Sequence, residues 1–500
     1  LIRIFNNSPE IYILHNKVKD GSLVADIRLN FNEKGKIKND FEINGYLKDG
    51  KLNLLNEYNL NNINFIFEIK KNNYELKDIK LSLDDLDFSS KKILLSDKDN
   101  FIYVEGDLSN KLFALEKEEI DKFSKLYSQK YNIEKIFLSS RNNFSFKIDN
   151  EFNFSKLLLN SEILLKDLTI KNKKKGKYFF PEINNEISFK NHNIKLDIKD
   201  GINSISGSGD LLLQKNIDKI SYFIEKKNAS HQIKTSFELN QNPFLIEFLN
   251  FKKNDKSKAT IKAEFLINEK KDINIKNIQI KEINNTFIVE NVFLNKEFKI
   301  IKIDKIDLDY IDKDNKENVI KLRRNKDYYN ISGTKFNANN LIDKILHSEG
   351  NTNNLFKNDF DLNLKIDQIY LDNEDYLKDL KGNLNIKDSK VYFAKISSVF
   401  SNNKRFNLSI ESENDQKITN FFSEKAKPLV KRYKFVKGFE DGTLEFYSKK
   451  IGNNSSSSLK IFDFKLKELP ALTKLLTLAS LQGIADTLTG EGIRFNELEM

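Results

Sequence analysis

Few side chains in this sequence have a spacing that could support catalysis or metal binding. The four histidines, His15, His192, His231 and His347, are far apart, and none belongs to a metal-binding doublet such as His-Glu-x-x-His. We therefore expect each of them to be a surface or turn residue. The chain has no cysteine, which excludes disulfide bonds and thiolate metal sites.

Clustered carboxylates are the other candidates for chemistry. Asp312 and Asp314 begin a stretch that faintly suggests a calcium loop, but Lys316 and Glu317 occupy its fifth and sixth positions, where a ligand and a glycine are needed. We interpret this stretch as the tip of a hairpin. No nucleophile elbow, phosphate-binding loop or dinucleotide fingerprint is present, and the Gly-Ser-Gly before Asp210 reads as a turn. We predict a protein that is not an enzyme and that has no cofactor or metal.

The charge pattern does not favour nucleic-acid binding. Basic residues number 83 and acidic residues 73, which gives a formal net charge of +10, and nearly all of the basic residues are lysine. Recognition of phosphates and base edges usually depends on the planar guanidinium of arginine. The densest basic run, at 171–177, lies between two strand-like stretches, and we interpret it as a solvated turn.

Alternation of apolar and polar residues dominates most of the chain. Every second residue from Leu23 to Phe31 is apolar, a turn follows, and the alternation resumes from Ile37 to Leu47. The same period recurs in many later segments, such as 144–154. This pattern predicts antiparallel hairpins with one apolar face. Because the turns show no fixed repeat length, we favour a long meander over a solenoid or propeller.

Four segments have helical spacing instead. They cover 111–130, 337–347, 418–433 and 471–488. Pro428 is expected to bend or break the third of these helices. The fourth carries only two charged residues, which sets it apart from the polar chain before it.

The beginning of the chain suggests that it is a fragment. Its only methionine is Met500, and residue 1 lies inside a stretch that already reads as a strand. We expect the true start, with any signal peptide or membrane anchor, to precede Leu1.

An antiparallel sheet with one apolar face must cover that face. It can fold over on itself as a sandwich, close as a barrel, or curl into a trough that holds something else. A sandwich is the default for a chain rich in strands. However, Phe and Ile recur on the apolar faces over hundreds of residues without a module boundary, which favours the trough.

The C-terminal residues resemble a known family. The segment FDFKLKELPALTKLLTLASLQGIADTLTGEGIRFNELE, residues 462–499, is similar to the closing motif of the AsmA-like superfamily, in particular its YhdP-type branch. ISGTKFNANNLIDKIL at 331–346 resembles the strand-to-helix step of the family. ITNFFSEKAKPLVKRYKFVKGFEDGTLEF at 418–446 resembles its helix and Gly-Gly-x-Leu strand, with Asp441 where glycine is commoner. Residues 1–330 agree with the family only in their strand-rich character.

This resemblance implies a mainly β fold and a non-enzymatic function. The fold would be a long, curled antiparallel sheet forming an apolar groove of the β-taco type, with a few short helices including an apolar C-terminal helix. The function would be bridge-like phospholipid transport across the periplasm of a Gram-negative bacterium towards the outer membrane. An N-terminal anchor outside this fragment would hold the protein in the inner membrane, and the C-terminal end would meet the outer membrane or its proteins.

The predicted domains follow the resemblance. Residues 1–330 would form the elongated groove, with a helical insertion near 111–130, and residues 331–500 the AsmA-like C-terminal region, with the apolar helix 471–488. Apolar residues that alternate regularly with polar ones are predicted to line the groove and bind acyl chains: Leu23, Ile27, Leu29, Phe31, Phe41, Ile43, Phe65, Phe67, Phe144, Phe146, Ile148, Phe152 and Phe154.

The apolar C-terminal helix has three possible roles. It could be a plug in the groove, an interfacial helix at the outer membrane, or a membrane span. We favour the plug, because the helix contains Lys474 and Asp486 and falls short of the ~20 residues that a span needs. Its predicted contact residues are Leu472, Leu475, Leu476, Ala479, Leu481, Ile484 and Leu488.

Two further hypotheses compete with lipid transport. An envelope scaffold would assist outer-membrane protein assembly or envelope integrity and would carry no lipid. A compact protein built of several sandwiches could instead bind ligands such as glycans.

Overall fold

The computed structural model describes two compact units. It describes residues 18–36, 38, 40–54, 58–83, 86–99, 101–124, 132–149, 153–172, 176–199, 201–269, 272–326, 328–342, 359–387, 390–432, 438–452, 454–467 and 493–500. Unit 1 comprises Leu1–Lys177 and Glu182–Asn242, and unit 2 comprises Tyr178–Pro181 and Pro243–Met500. The predicted domain division near residue 330 stays a prediction.

Unit 1 is a meander of twelve strands, and each strand pairs antiparallel with the next along the chain. Alternating Phe, Ile and Leu favour this pleated structure, because one face is apolar and the other is polar. The strands are β1 (Val18–Arg28), β2 (Glu42–Leu54), β3 (Tyr58–Lys70), β4 (Asn73–Leu83), β5 (Leu86–Lys98), β6 (Phe101–Glu116), β7 (Ile133–Asp149), β8 (Phe154–Lys171), β9 (Glu186–Lys199), β10 (Ile202–Leu212), β11 (Asp218–Lys227) and β12 (Ser230–Leu239).

Unit 2 contains a second meander, β15 to β28, and a two-stranded ribbon, β13 with β14. Its strands are β13 (Leu245–Ile246), β14 (Phe251–Lys252), β15 (Ala259–Ile267), β16 (Ile273–Glu282), β17 (Asn285–Leu294), β18 (Ile300–Ile311), β19 (Glu317–Asn325), β20 (Tyr328–Asn337), β21 (Phe360–Tyr370), β22 (Tyr376–Lys387), β23 (Lys390–Phe400), β24 (Arg405–Glu413), β25 (Gln416–Ser423), β26 (Phe439–Ile451), β27 (Asn454–Leu466) and β28 (Ile493–Glu499). The predicted mainly β fold, built from long antiparallel meanders, is confirmed.

One pair of neighbouring strands in unit 2 is parallel. β20 and β21 run in the same direction, with Ile331 opposite Leu364. Parallel neighbours need a crossover connection, which here spans 338–359 and is helical at 339–342. The β25–β26 connection is also long and contains a short helix, α2 (Lys427–Val430). We call residues 338–342 together with α2 the cap.

The cap packs on the apolar face of unit 2. Ala338 belongs to a buried cluster with Ile366 and Phe400, and Ile342 packs against that cluster. In the second connection, Ala426 and Val430 form a buried cluster with strand residues of β26 and β27. The core of unit 2 therefore lies where the cap packs on the sheet.

Two helix predictions need correction. Residues 111–116 end β6, because Phe113 and Leu115 pair with β7, and the helix α1 (Lys117–Ser124) begins only after them. Residues 418–423 belong to β25, which pairs with β24 and β26. Pro428 lies in the first turn of α2, where its missing N–H costs nothing, so it starts a helix instead of bending one.

Irregular residues bend several strands. Asp49 in β2, Asn62 in β3 and Asp78 in β4 have positive φ angles of 56°, 53° and 51°. The register of strand pairing shifts close to Asp49 and close to Asn62. Asp and Asn tolerate this conformation better than other residues with a Cβ, and such bulges bend a strand and increase its twist. No helix among the described residues has the length and apolar character needed to cross a bilayer.

Candidate functional site

Strand pairing in unit 1 aligns one position that is apolar or glycine from each of nine consecutive strands. Directly opposed residues of paired strands lie on the same face, so this row marks a continuous apolar surface. We call it ladder 1; it consists of Ala25, Gly45, Phe67, Leu76, Ile93, Gly106, Phe144, Leu159 and Ile198.

Unit 2 contains a longer row of the same kind. It crosses thirteen strands from β15 to β27, and every position is apolar or glycine. We call it ladder 2; it consists of Ala263, Ile278, Val289, Ile306, Leu322, Ile331, Leu364, Gly382, Ile396, Leu408, Phe421, Phe446 and Leu459.

Most of the predicted groove residues lie on the face of ladder 1. Those brought together there are Leu23, Ile27, Ile43, Phe65, Phe67, Phe144, Phe146, Ile148 and Phe154. The rings of Phe144 and Phe146 are 5.8 Å apart, and those of Phe146 and Phe154 are 5.5 Å apart. Leu29 and Phe31 lie beyond the end of β1, Phe41 precedes β2, and Phe152 lies outside the described residues.

The exposure of these side chains is unusual for a sheet core. Phe67 is buried, but Phe144 and Phe146 are half-buried, and Phe154 is 73% exposed. Nearly every position of ladder 2 is likewise half-buried. Contiguous apolar surface of this extent is a candidate site of interaction.

Ion pairs occupy the opposite face of unit 1. Glu42 and Glu68 both contact Lys70, at 2.9 and 2.5 Å, and Glu68 also lies 3.4 Å from Lys77. Hydrogen bonding to Lys70 lowers the pKa of Glu68, with a further contribution from Lys77. In Glu75, hydrogen bonding to Lys92 lowers the pKa in the same way. This face is hydrophilic and stays charged at neutral pH.

The apolar face of unit 1 has a polar interruption. Four polar residues point to the same face as ladder 1: Asn110, Ser140, Asn142 and Ser161. Ser140 Oγ donates to Asn110 Oδ1 at 2.5 Å, and Asn142 Nδ2 donates to Ser140 Oγ at 2.9 Å. Asn110 and Ser161 are buried. Asn110, Ser140 and Asn142 are joined by hydrogen bonds, and with Ser161 they form a polar patch within the apolar surface.

His192 is buried in β9, contrary to the prediction of a surface or turn position. Its Nε2 lies 3.0 Å from the carbonyl oxygen of Asp210, and its ring stacks on Tyr222 with centroids 5.8 Å apart. Gly207 and Gly209 in β10 leave room for these two rings. The Gly-Ser-Gly is therefore part of a strand, and the predicted turn is wrong. His231 lies in β12, and His15 and His347 lie outside the described residues.

The acidic stretch at 312–318 is a hairpin tip, as the sequence predicts. Asp312 Oδ1 accepts the backbone N–H groups of Asp314 and Lys316. Its Oδ2 accepts from the side-chain amides of Asn318 and Asn337, at 3.1 and 2.8 Å. These carboxylate oxygens are used in holding the turn. Across the described part of the chain, no group of three or more metal-ligating side chains occurs.

One cavity of unit 1 is lined mainly by residues of its hydrophilic side. It has a volume of about 850 Å³, and its lining includes Glu68, Lys70, Glu105 and Lys147. Lys147 Nζ donates to the hydroxyl of Tyr103 at 2.8 Å. The lining also includes Val104 and Phe146, so charged and apolar side chains are mixed there. The candidate site is instead the apolar face, whose aligned positions are apolar or glycine.

Comparisons with known proteins do not identify the chain. A scan against protein-family models, a search of curated proteins and a search of solved structures each returned no match. The resemblance to the AsmA-like superfamily stays a prediction. The helix predicted at 471–488 lies outside the described residues.

Proposed function

We propose that this chain binds phospholipid acyl chains on ladders 1 and 2 and transports phospholipids between membranes without catalysing a reaction. The observation that supports this most strongly is ladder 2, which presents half-buried apolar side chains on twelve of thirteen consecutive strands. A row of this length suits a ligand that is itself a long, featureless hydrocarbon.

The energetics favour movement along the face. Each methylene group removed from water contributes about 0.8 kcal/mol, and this contribution is similar at every position of an apolar ladder. A lipid can therefore move from one strand to the next without crossing a region that excludes its acyl chains. The protein would lower the barrier to transfer, and the direction would be set elsewhere. By the resemblance, transfer runs across the periplasm from an inner-membrane anchor towards the outer membrane.

The proposal is tested by measuring the lipid that is bound to the purified chain. We expect mass spectrometry of an organic extract to find phospholipid with the wild type and less with Phe421→Asp, because a carboxylate on ladder 2 must be desolvated by an acyl chain. Phe422→Asp is the matched control, since Phe422 is the next residue and points to the opposite face. In unit 1, Phe146→Asp is compared with Ser145→Asp for the same reason.

The outcomes separate transport from a scaffold. Loss of lipid in Phe421→Asp and Phe146→Asp, with retention in both controls, would support the proposal. A folded wild-type chain without lipid would contradict it and would leave the envelope scaffold as the better hypothesis.

A further inference from the structure

Two lysines lie on the apolar face of unit 2 at the end of the strands farthest from the cap. The register of β25 and β26 places Phe421 opposite Phe446, Thr419 opposite Ser448, and Lys417 opposite Lys450. These three pairs have the same parity, so they share one face. The lysine pair therefore continues the surface of ladder 2.

The side chain of Lys417 extends across the neighbouring strand. Its Nζ donates to the carbonyl oxygen of Val391 at 3.2 Å, and Val391 is in β23, on the far side of β24. Among the described residues, no carboxylate forms an ion pair with Lys417 or Lys450. Burial lowers the pKa of Lys417, and the positive charges of Lys450 and Lys390 lower it further. Two cations thus face each other without a counter-ion, which is uncommon in a chain that pairs many of its lysines.

Chemical character changes in order along the strands. Leu444 is buried beneath the cap, Phe421 and Phe446 are half-buried, hydroxyl side chains follow at Thr419 and Ser448, and the lysines come last. Phe421 lies four positions after Lys417 in β25, which is a distance of about 13 Å along an extended strand. This order matches an amphiphile with a hydrocarbon tail and an anionic head.

We propose that Lys417 and Lys450 bind the phosphate of an anionic phospholipid whose acyl chains lie on ladder 2. This inference rests on the proposed function and deepens it, because it assigns a headgroup class and an orientation. The tail points towards the cap and the head towards the open end of the strands. An ammonium ion is a suitable phosphate ligand as a point charge.

Competition between two lipids tests the assignment. The full chain is incubated with vesicles containing equal amounts of phosphatidylglycerol and phosphatidylcholine with identical acyl chains, and the bound lipids are counted by mass spectrometry. We expect the wild type to prefer phosphatidylglycerol. Lys450→Gln should reduce this preference roughly fivefold, the scale of one exposed ion pair. Lys417→Gln combined with Lys450→Gln should abolish it, while total bound lipid is kept.

Lys449→Gln is the matched control. Lys449 is adjacent to Lys450 and carries the same charge, but it lies opposite Ile418 on the other face. Lys450 is exposed, so its substitution does not threaten folding. An equal loss of preference in Lys449→Gln would show that net charge, and not this site, attracts the lipid, and would overturn the inference.

The remaining outcomes distinguish the inference from the proposed function. If the double variant keeps the preference, the inference fails and lipid transport stands. If the wild type binds neither lipid, both fail. If the lysines bind inorganic phosphate in the absence of lipid but the wild type shows no preference for phosphatidylglycerol over phosphatidylcholine, they bind free phosphate, and their assignment to a lipid headgroup is overturned.

Discussion

Units 1 and 2 contain the same kind of apolar ladder but differ in what lies beside it. In unit 2, the cap closes one end of the face, and Phe400 and Ile461 there are almost completely buried. In unit 1, hydrogen-bonded polar side chains such as Asn110 and Asn142 interrupt the face. One meander has a packed core where the cap covers its apolar face, and the described face of the other has no such cap.

The difference shows what turns an apolar strip into a core. Tight hairpins leave both faces of a meander uncovered, whereas a long connection can return over one face. In unit 2, the described residues of the β20–β21 and β25–β26 connections, 338–342 and α2, pack on the apolar face in this way. Alternation of apolar residues is therefore necessary for a sheet core but does not by itself produce one.

Removing an aromatic ring from each unit should give the largest difference in lost stability between the two units. Phe400→Ala should lower the local free energy of unfolding of unit 2 by about 3–5 kcal/mol, because it leaves a cavity under the cap. Phe144→Ala should cost unit 1 only about 1–2 kcal/mol, since its ring is already partly in water. Hydrogen exchange of the β22 and β7 amides measures the two losses separately. Equal losses would show that ladder 1 is as well packed as the core of unit 2.

Unit 1 should nevertheless have one tightly packed position. A Cβ at residue 209 would overlap the ring of His192, so Gly209→Ala should destabilise unit 1 by about 1–3 kcal/mol. In a His192→Ala background the overlap with the ring disappears and the close contact with the Cα of residue 192, at 2.8 Å, remains, so the cost should shrink. Chemical denaturation of the four variants gives the coupling. An unchanged cost in that background would mean that the glycine matters for backbone reasons only.

Acid and salt should produce the smallest difference in stability between units 1 and 2. The pKa of Glu68 lies below its unfolded value, so its stabilising effect is present above the unfolded carboxyl pKa of about 4.3 and is lost as pH falls through the folded pKa. Added salt should weaken these exposed pairs. It should affect the Lys425–Asp375 pair of unit 2 less, because the Asp375 side chain is only 8% exposed.

Melting curves at neutral and acidic pH, with and without salt, check this prediction. Glu68→Gln should make unit 1 less sensitive to acid. A melting temperature of unit 1 that does not respond to salt would contradict the assignment of its hydrophilic face to screened ion pairs.

Much of unit 1 could be predicted from local pattern. Side chains of a strand point alternately to its two sides. Period-two alternation therefore predicted that Phe65 and Phe67 share a face within β3, and that Phe144 and Phe146 share a face within β7. The same reasoning failed at 418–423, where pairing with β24 and β26 outweighs helical spacing. It also failed for His192, since nothing near this residue in sequence reveals that Gly209 of the next strand makes room for its ring.

The sequence by itself determined the class of structure, most of the strands and which residues share a face within each of them. These properties depend on the two-residue period and on turn residues, which act over a few positions. Only the tertiary structure decided which strands meet, which ends are capped, and that Lys417 faces Lys450. Those outcomes depend on register and on long connections, and a register shift of one residue exchanges the two faces of a strand.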